Sequence, residues 1–399
     1  MKTYVVCIDG TWNHPGQKDT DPIEEIEQRT ETNVLRIFRF LTGIVVGGAT
    51  PSLQHRTSLP LDATIPGGVH ERSGEVLYLS GIGAVGTFVT RSWEGATGTG
   101  ISERILDAYR FLAERHQPGD RIFGFGFSRG AFAVRSLAGF LQRVGLPSSP
   151  QFDEADVQEA YRLYRSGRAG SSHPGPKRGY RPASVDFLGL WDTVGSLAFR
   201  GSLNSFHLIS PTNVRQVAHA LALDEERSAF TPEYWDASGT QVVDEVWFSG
   251  VHSNVGGGYV NQELANISLA WMVWKAWRAG IPTGKDYIQG WYGENTFGRA
   301  RASYDEFLRE WSVFGALARQ FSGGRVRRTI RPDQSMHASV FDRLEEGPSD
   351  YTTDTQGRPS DWRRYEPIAN LAGGHPFPTR RSAFSGQVVD TPDYLAGAE

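Results

Sequence analysis

Residues 120–140 read DRIFGFGFSRGAFAVRSLAGF. The apolar run 122–127 has the length and composition of a buried strand, whereas the apolar residues from 131 to 140 recur three and four positions apart, as they do on a helix. The change of period falls on GFSRG at residues 126–130, a G-x-S-x-G sequence. This stretch therefore predicts a strand, a sharp turn and a helix, with Ser128 at the turn.

This setting makes Ser128 the candidate nucleophile. A sharp turn between a strand and a helix exposes a serine hydroxyl at the C-terminal edge of a sheet, and the helix N-terminus beside it supplies N–H groups and a positive dipole. The backbone N–H of Arg129 is then one expected donor to an oxyanion. A chance match is the competing interpretation, because the chain contains 46 glycines. The strand-to-helix context favours the catalytic interpretation.

Two later predicted strands end near residues that would complete a catalytic triad. The run 184–190 leads into Asp192, and the run 242–248 leads to His252. Ser, Asp, His is the chain order of α/β-hydrolase triads, and parallel strands place their C-terminal ends at one edge of the sheet. We expect Ser128 to attack, His252 to remove its proton and Asp192 to orient the imidazole.

Each of these assignments has an alternative. His337 is the alternative base, but a clear strand precedes His252, and three glycines follow that histidine closely and allow a close backbone approach to substrate. His252 could instead only brace its glycine-rich loop. Asp192 could be a helix or turn cap.

The loop after the first predicted strand is the expected source of a second oxyanion donor. That strand covers residues 4–8 and is followed by Asp9, Gly10 and Thr11, of which Thr11 could add its hydroxyl. An anion beside an oxyanion hole would oppose catalysis, so Asp9 is expected to point away and to bind backbone N–H groups. The competing hypothesis gives Asp9 and Asp192 a metal ion; we predict neither a metal nor a cofactor.

The alternation of strands and helices predicts an α/β fold with a mostly parallel central sheet and helices on both faces. A catalytic core is expected over 1–285, with glycine-rich loop insertions at 44–75 and 165–182. Residues 286–399 are expected to form a helical and irregular region that packs on the core or caps it. The segment 214–223 is predicted to be a helix.

Composition narrows the functional classes. The net charge is −4 and the basic residues are scattered, so nucleic-acid binding is not expected. The single cysteine, Cys7, excludes an internal disulfide and most cysteine-built metal sites. No stretch has the length of a signal-peptide core or of a membrane span. We expect a cytoplasmic protein. Secretion by a route that needs no signal peptide is compatible with the sequence.

Four segments together resemble the DUF2235 family, the α/β-hydrolase family that includes the catalytic domains of Tle1-type phospholipase effectors of type VI secretion. They are CIDGTWN at 7–13, GFGFSRGAFAVRSLAGF at 124–140, FLGLWDTVGS at 187–196 and VWFSGVHSNVGGGY at 246–259. Weaker similarities are TNV at 32–34, DEER at 224–227, and MHASV at 336–340 with Arg343. The resemblance spans roughly residues 4–345.

The resemblance implies an α/β-hydrolase fold, a nucleophile at Ser128 and lipid-ester hydrolysis. One departure is Asn254, where an aspartate is expected, and it puts the identity of the triad acid in question. We expect a serine hydrolase that cleaves carboxylic esters, foremost those of phospholipids, with transient contact to a membrane surface. The alternatives are a small-ester or carbohydrate-ester hydrolase, and a catalytically silent scaffold used for binding. The sequence leaves acyl-chain preference, positional specificity and oligomeric state open.

Overall fold

The structure is a computed structural model that describes most of the N-terminal two thirds of the chain and parts of the rest. The described residues are 1–21, 25–44, 53–62, 73–83, 99–149, 151–166, 179–195, 210–281, 324–346, 350–353, 359–363, 367, 369–371, 377–378 and 380–390. Among them no helix combines the length and the apolar character needed to cross a membrane.

A nine-stranded sheet forms the centre of the described chain. Its strands are β1 Thr3–Ile8, β2 Arg56–Pro60, β3 Gly74–Leu79, β4 Arg121–Phe127, β5 Val185–Trp191, β6 Val214–Ala222, β7 Val242–Phe248, β8 Ser335–His337 and β9 Gln387–Val389. Across the sheet they run β9-β8-β7-β6-β5-β4-β1-β3-β2. Every neighbouring pair is parallel except β2 with β3. The predicted, mostly parallel central sheet is confirmed.

Seven α-helices accompany the sheet in the described residues. They are α1 Asn33–Thr42, α2 Thr99–Arg115, α3 Arg129–Arg143, α4 Glu154–Arg165, α5 His252–Gly256, α6 Glu263–Arg278 and α7 Ala338–Glu346. The same part of the chain also forms four short two-stranded sheets outside the main one. These helices and the sheet together give the α/β-hydrolase-like architecture that the sequence predicts.

The first strand shows how the helices enclose the sheet. All six residues of β1 are buried, which is typical of a parallel strand covered on both faces. Tyr4, Val6 and Ile8 pack in a cluster with α2, α3 and α4, whereas Val5 and Cys7 pack in a cluster with α1 and α6. Because successive side chains of a strand point to opposite faces, the helices lie on both sides of the sheet.

Two expectations about the elements were wrong. The segment 214–223, predicted to be helical, forms β6 between β5 and β7. The expected irregular insertion at 44–75 contains β2 and the start of β3; its residues 45–52 and 63–72 lie outside the described residues. Most of the second predicted insertion, residues 167–178, also lies outside them.

The region beyond residue 285 does more than cover the core. Its strands β8 and β9 extend the central sheet past β7, in parallel register. Helix α7 adds to a third apolar cluster in which Trp247 of β7 packs with Phe341 and Leu344. These strands add to a region that was expected to be helical and irregular, while the predicted boundary at 285 stays a prediction.

The tight turn after β4 makes Gly126 a sensitive position. A Cβ atom there would lie 2.6 Å from the Cα atom and 2.7 Å from the nitrogen of Ala131, both of which belong to the backbone of α3. We therefore expect Gly126→Ala to lower the free energy of unfolding by about 1–3 kcal/mol, the usual cost of overpacking. Urea denaturation measures the change. The matched control is Gly324→Ala, where nothing lies within 4 Å of the added atom, and equal losses for both variants would contradict the packing argument.

Candidate active site

Ser128 occupies the turn between β4 and α3. Its backbone has φ 59° and ψ −125°, a left-handed conformation that a residue with a side chain rarely adopts and that marks functional sites. Its N–H donates to the carbonyl oxygen of Trp191, the last residue of β5, at 2.9 Å. A Cβ atom on Gly130 would lie 2.2 Å from the carbonyl oxygen of Ile8, so the helix start presses on the end of β1. The predicted strand, turn and helix are present.

The structure brings Asp192 and His252 together. Nδ1 of His252 lies 2.5 Å from Oδ2 of Asp192, and both side chains are buried. Asp192 directly follows β5, and its N–H donates to the carbonyl oxygen of Ala220 in β6 at 2.8 Å. His252 begins α5, four residues after the end of β7. A carboxylate at Nδ1 favours the tautomer that carries its proton there, which leaves Nε2 as the basic nitrogen.

Two aromatic rings pack against the imidazole of His252, which also bonds to the carboxylate of Asp192. The ring centroid of Phe127, the neighbour of Ser128, lies 4.6 Å away, and that of Phe230 lies 4.8 Å away, edge to face. Burial in these surroundings lowers the pKa of His252, while hydrogen bonding to Asp192 opposes the shift. Within the described residues, no hydrogen bond joins the Ser128 hydroxyl to the imidazole. Catalytic hydrogen bonds commonly form only when substrate binds.

The alternative base, His337, has other partners. It ends β8, where its Nδ1 lies 2.8 Å from Oγ of Ser339 and its ring stacks on Phe248 at 4.8 Å. Burial lowers the pKa of His337 to about 3. Of the two histidines, it is His252 that bonds to Asp192.

Asn254 stabilises the turn that carries His252. Its Oδ1 accepts from the N–H of Val251 at 3.2 Å, and its own N–H donates to the carbonyl oxygen of Val251 at 2.9 Å. This amide therefore serves the local backbone, and the carboxylate at His252 comes from Asp192. The departure from an expected aspartate at this position leaves that pairing intact.

Asp9 is buried in the loop after β1. It accepts hydrogen bonds from the N–H of Gly10 at 2.7 Å, the hydroxyl of Thr32 at 2.8 Å and the hydroxyl of Tyr78 at 2.7 Å. Burial nevertheless raises its pKa to about 6. These donors occupy the oxygens that the metal hypothesis required, and Asp192 is likewise occupied. The described part of the chain holds no cluster of three or more metal-ligating side chains.

The two predicted oxyanion donors lie at the start of α3 and in the loop after β1. Arg129 is the first residue of α3, and its guanidinium lies 5.9 Å from the ring centroid of Trp12. The hydroxyl oxygen of Thr11, in the loop after β1, is buried and has no hydrogen-bond partner among the described residues. A buried hydroxyl without a partner is costly, and a ligand oxygen would relieve that cost.

Two arginines at the site were missed by sequence reasoning. Arg328 forms hydrogen bonds to both carboxylate oxygens of Asp192, at 2.6 and 2.9 Å. Arg227 pairs with Glu225 at 2.8 Å, and Oε2 of Glu225 accepts from the N–H of His252 at 3.3 Å. In the sequence, Glu225 and Arg227 stand out only as parts of the DEER segment at 224–227. The only sequence signal of Arg227 was its place in that segment, whereas Arg328 gave none.

Comparison with protein families gives one match over most of the chain. A family model described as "T6SS, Phospholipase effector Tle1-like, catalytic domain" matches residues 2–275. The match includes the segments that carry Ser128, Asp192 and His252, and it ends before Arg328.

Similarity to individual proteins covers smaller parts. Uncharacterized protein YEL023C of Saccharomyces cerevisiae is 37% identical over 144 residues, which cover 33% of this chain and 21% of that protein. Among solved structures, an uncharacterized protein from Pseudomonas aeruginosa aligns with 18% identity and a TM-score of 0.39, over 72% of this chain and 47% of the other. The Tle1 effector bound to the VgrG spike from the type VI secretion system aligns with 21% identity and a TM-score of 0.33, over 65% and 51%. The chain thus spans about half or less of each.

Proposed function

This chain belongs to the Tle1-like catalytic-domain family of type VI secretion phospholipase effectors, and from that membership we propose that it is a serine hydrolase that cleaves the acyl esters of phospholipids. At the level of the family, a lipase-type or phospholipase-type hydrolase is supported. The finer proposal assigns the chemistry to Ser128, His252 and Asp192. The observation that carries it is the hydrogen bond between His252 and Asp192, at the sheet edge where Ser128 has a strained turn.

The proposed reaction has two steps. Oγ of Ser128 attacks the ester carbonyl carbon while Nε2 of His252 takes the hydroxyl proton, and the tetrahedral intermediate then expels the alcohol, which receives that proton. This leaves an acyl group on Ser128. A water molecule, deprotonated by His252, attacks the acyl carbon and releases the fatty acid with Ser128 regenerated. Asp192 holds the imidazole in place and stabilises its charged form.

The negative charge on the attacked carbonyl oxygen needs donors that are already in place. We assign this role to the N–H of Arg129 at the start of α3 and to the loop residue Thr11. The dipole of α3 supports the first donor, since the positive end of the helix points at the developing charge. The buried hydroxyl of Thr11, without a partner among the described residues, supports the second.

Membership of a phospholipase effector family favours phospholipids over other esters as the substrate class. The same membership supports export by the type VI route, which needs no signal peptide, and transient contact with a membrane surface during turnover. Small esters or carbohydrate esters would use the same three residues. A catalytically silent scaffold is the alternative in which Ser128 reacts with nothing.

Covalent labelling separates the serine-hydrolase proposals from the catalytically silent scaffold. We expect a fluorophosphonate probe to label the wild-type protein at Ser128, because the probe reacts with a serine that a neighbouring base activates. Mass spectrometry of the labelled peptide locates the adduct. If the probe labels no serine, both the phospholipase proposal and the small-ester or carbohydrate-ester alternative are wrong.

A substrate panel then tests the phospholipid proposal. Phosphatidylglycerol and phosphatidylethanolamine vesicles are compared with p-nitrophenyl acetate and an acetylated sugar. We expect fatty acid release from the vesicles. Turnover of only p-nitrophenyl acetate or the acetylated sugar would agree with the serine mechanism but contradict phospholipids as the substrate class.

A further inference from the structure

Arg328 binds both carboxylate oxygens of Asp192. Its Nη1 donates to Oδ1 of Asp192 at 2.6 Å and its Nη2 donates to Oδ2 at 2.9 Å, the two-point pairing that arginine forms with a carboxylate. The same two nitrogens donate to the carbonyl oxygens of Ala222 and Phe230, each at 2.6 Å. The guanidinium plane is thus fixed by β6 and by the turn that holds Phe230. Rotation of the Asp192 carboxylate would break both of its hydrogen bonds from Arg328 and also the one that Oδ1 accepts from the N–H of Ala222 at 3.0 Å.

The arginine and the histidine share one carboxylate oxygen. Oδ2 of Asp192 is 2.9 Å from Nη2 of Arg328 and 2.5 Å from Nδ1 of His252. Arg328 is 4% exposed and Asp192 is fully buried, so water screens their charges little. Arg328, together with the N–H of Ala222 at Oδ1, therefore holds the carboxylate whose Oδ2 orients the imidazole.

We propose that Arg328 is a positioning residue of this active site, which fixes both oxygens of Asp192 and through them orients His252. The inference rests on the proposed serine-hydrolase function. The family model matches residues 2–275, so Arg328 completes the site from outside the matched part of the chain.

The pairing of Arg328 with Asp192 also affects the protonation of His252, because charged groups surround the imidazole. Asp192 is balanced by Arg328, and Glu225, which accepts from the N–H of His252, is balanced by Arg227. A proton on the imidazole therefore adds a positive charge between two ion pairs that are already neutral. Burial raises the pKa of nearby Tyr234 to about 12, so its phenol contributes no charge at neutral pH. Removing the Arg328 cation should make protonation of His252 easier.

The test uses Arg328→Lys and Arg328→Gln, with kcat/KM measured on p-nitrophenyl acetate from pH 4 to pH 9. Lysine keeps the charge but is a point donor that cannot span two oxygens, so we expect kcat/KM to fall about 10- to 100-fold while the midpoint of the acid limb stays in place. Glutamine also removes the charge, so the midpoint should rise by about one pH unit. The rate falls when His252 is protonated, which fixes the sign of this shift.

Arg331→Gln is the matched control, because Arg331 lies in the same segment but pairs at 3.5 Å with Asp236, which is largely exposed. It should leave kcat/KM and the midpoint unchanged. Wild-type values of both quantities in a folded Arg328→Gln protein would overturn the proposal. If that variant does not fold, wild-type activity in Arg328→Lys overturns it instead. Fluorophosphonate labelling of wild-type Ser128 tests the underlying function separately.

Discussion

Ser128→Ala is expected to abolish ester hydrolysis, with kcat at least about 10⁴-fold below that of the wild-type protein. The proposed mechanism places the acyl group on Oγ of Ser128, and alanine has no atom that could carry it. The methyl group fits wherever the serine side chain fits, so the variant should fold. Initial rates on p-nitrophenyl acetate and on phospholipid vesicles measure the loss, and thermal unfolding checks the fold.

The control for this experiment is Ser136→Ala, the same chemical change two turns further along α3. Ser136 is fully buried in the helix, so its replacement reports the effect of losing a hydroxyl away from the turn. We expect its activity to stay within a few-fold of wild type. Hydrolysis and fluorophosphonate labelling that persist in purified Ser128→Ala would assign the reaction to another residue.

His252→Ala is expected to lower kcat by a similar factor, since the serine loses the base that activates it. The comparison is His337→Ala, which removes a ring that stacks on Phe248 and leaves a space in the core. That variant should lose about 1–3 kcal/mol of stability and retain its kcat. Activity is therefore measured at a temperature well below the unfolding midpoint of both proteins.

The two histidine variants together decide the base. The assignment to His252 is wrong if a folded His337→Ala protein is inactive while His252→Ala turns over ester at the wild-type rate. Circular dichroism of each preparation excludes unfolding as the cause of any loss.

The sequence predicts an element of this fold where the spacing of its apolar residues agrees with how the element is buried in the folded chain. The turn at Ser128 was predictable because a strand period changes to a helix period within a few residues. Strand β6 was not, since Val214, Val217 and Leu221 recur at helical spacing. The strand lies between two others and is buried over most of its length, so its apolar residues need not alternate. Strands β8 and β9 have three residues each, too few to show a period.

The same distinction applies to the candidate site. Ser128, Asp192 and His252 each follow a strand that the sequence identifies, so topology alone predicts that they share a sheet edge. Arg328 follows no predicted strand, and 136 positions separate it from Asp192. It stands directly after Arg327, in a segment whose charge pattern is typical of exposed surface. Only the three-dimensional structure shows that one of these arginines is buried against a carboxylate.

The pairing of Arg328 with Asp192 also bears on the order in which the active site is assembled during translation. The ribosome makes Ser128, Asp192 and His252 before Arg328, so a nascent chain can fold most of its sheet while the buried carboxylate still lacks its cation. An unpaired buried carboxylate is unfavourable, so burial of Asp192 is costly until its cation is present. A growing chain therefore lacks the cation that balances Asp192, and with it a fixed carboxylate beside His252, until residue 328 has been made.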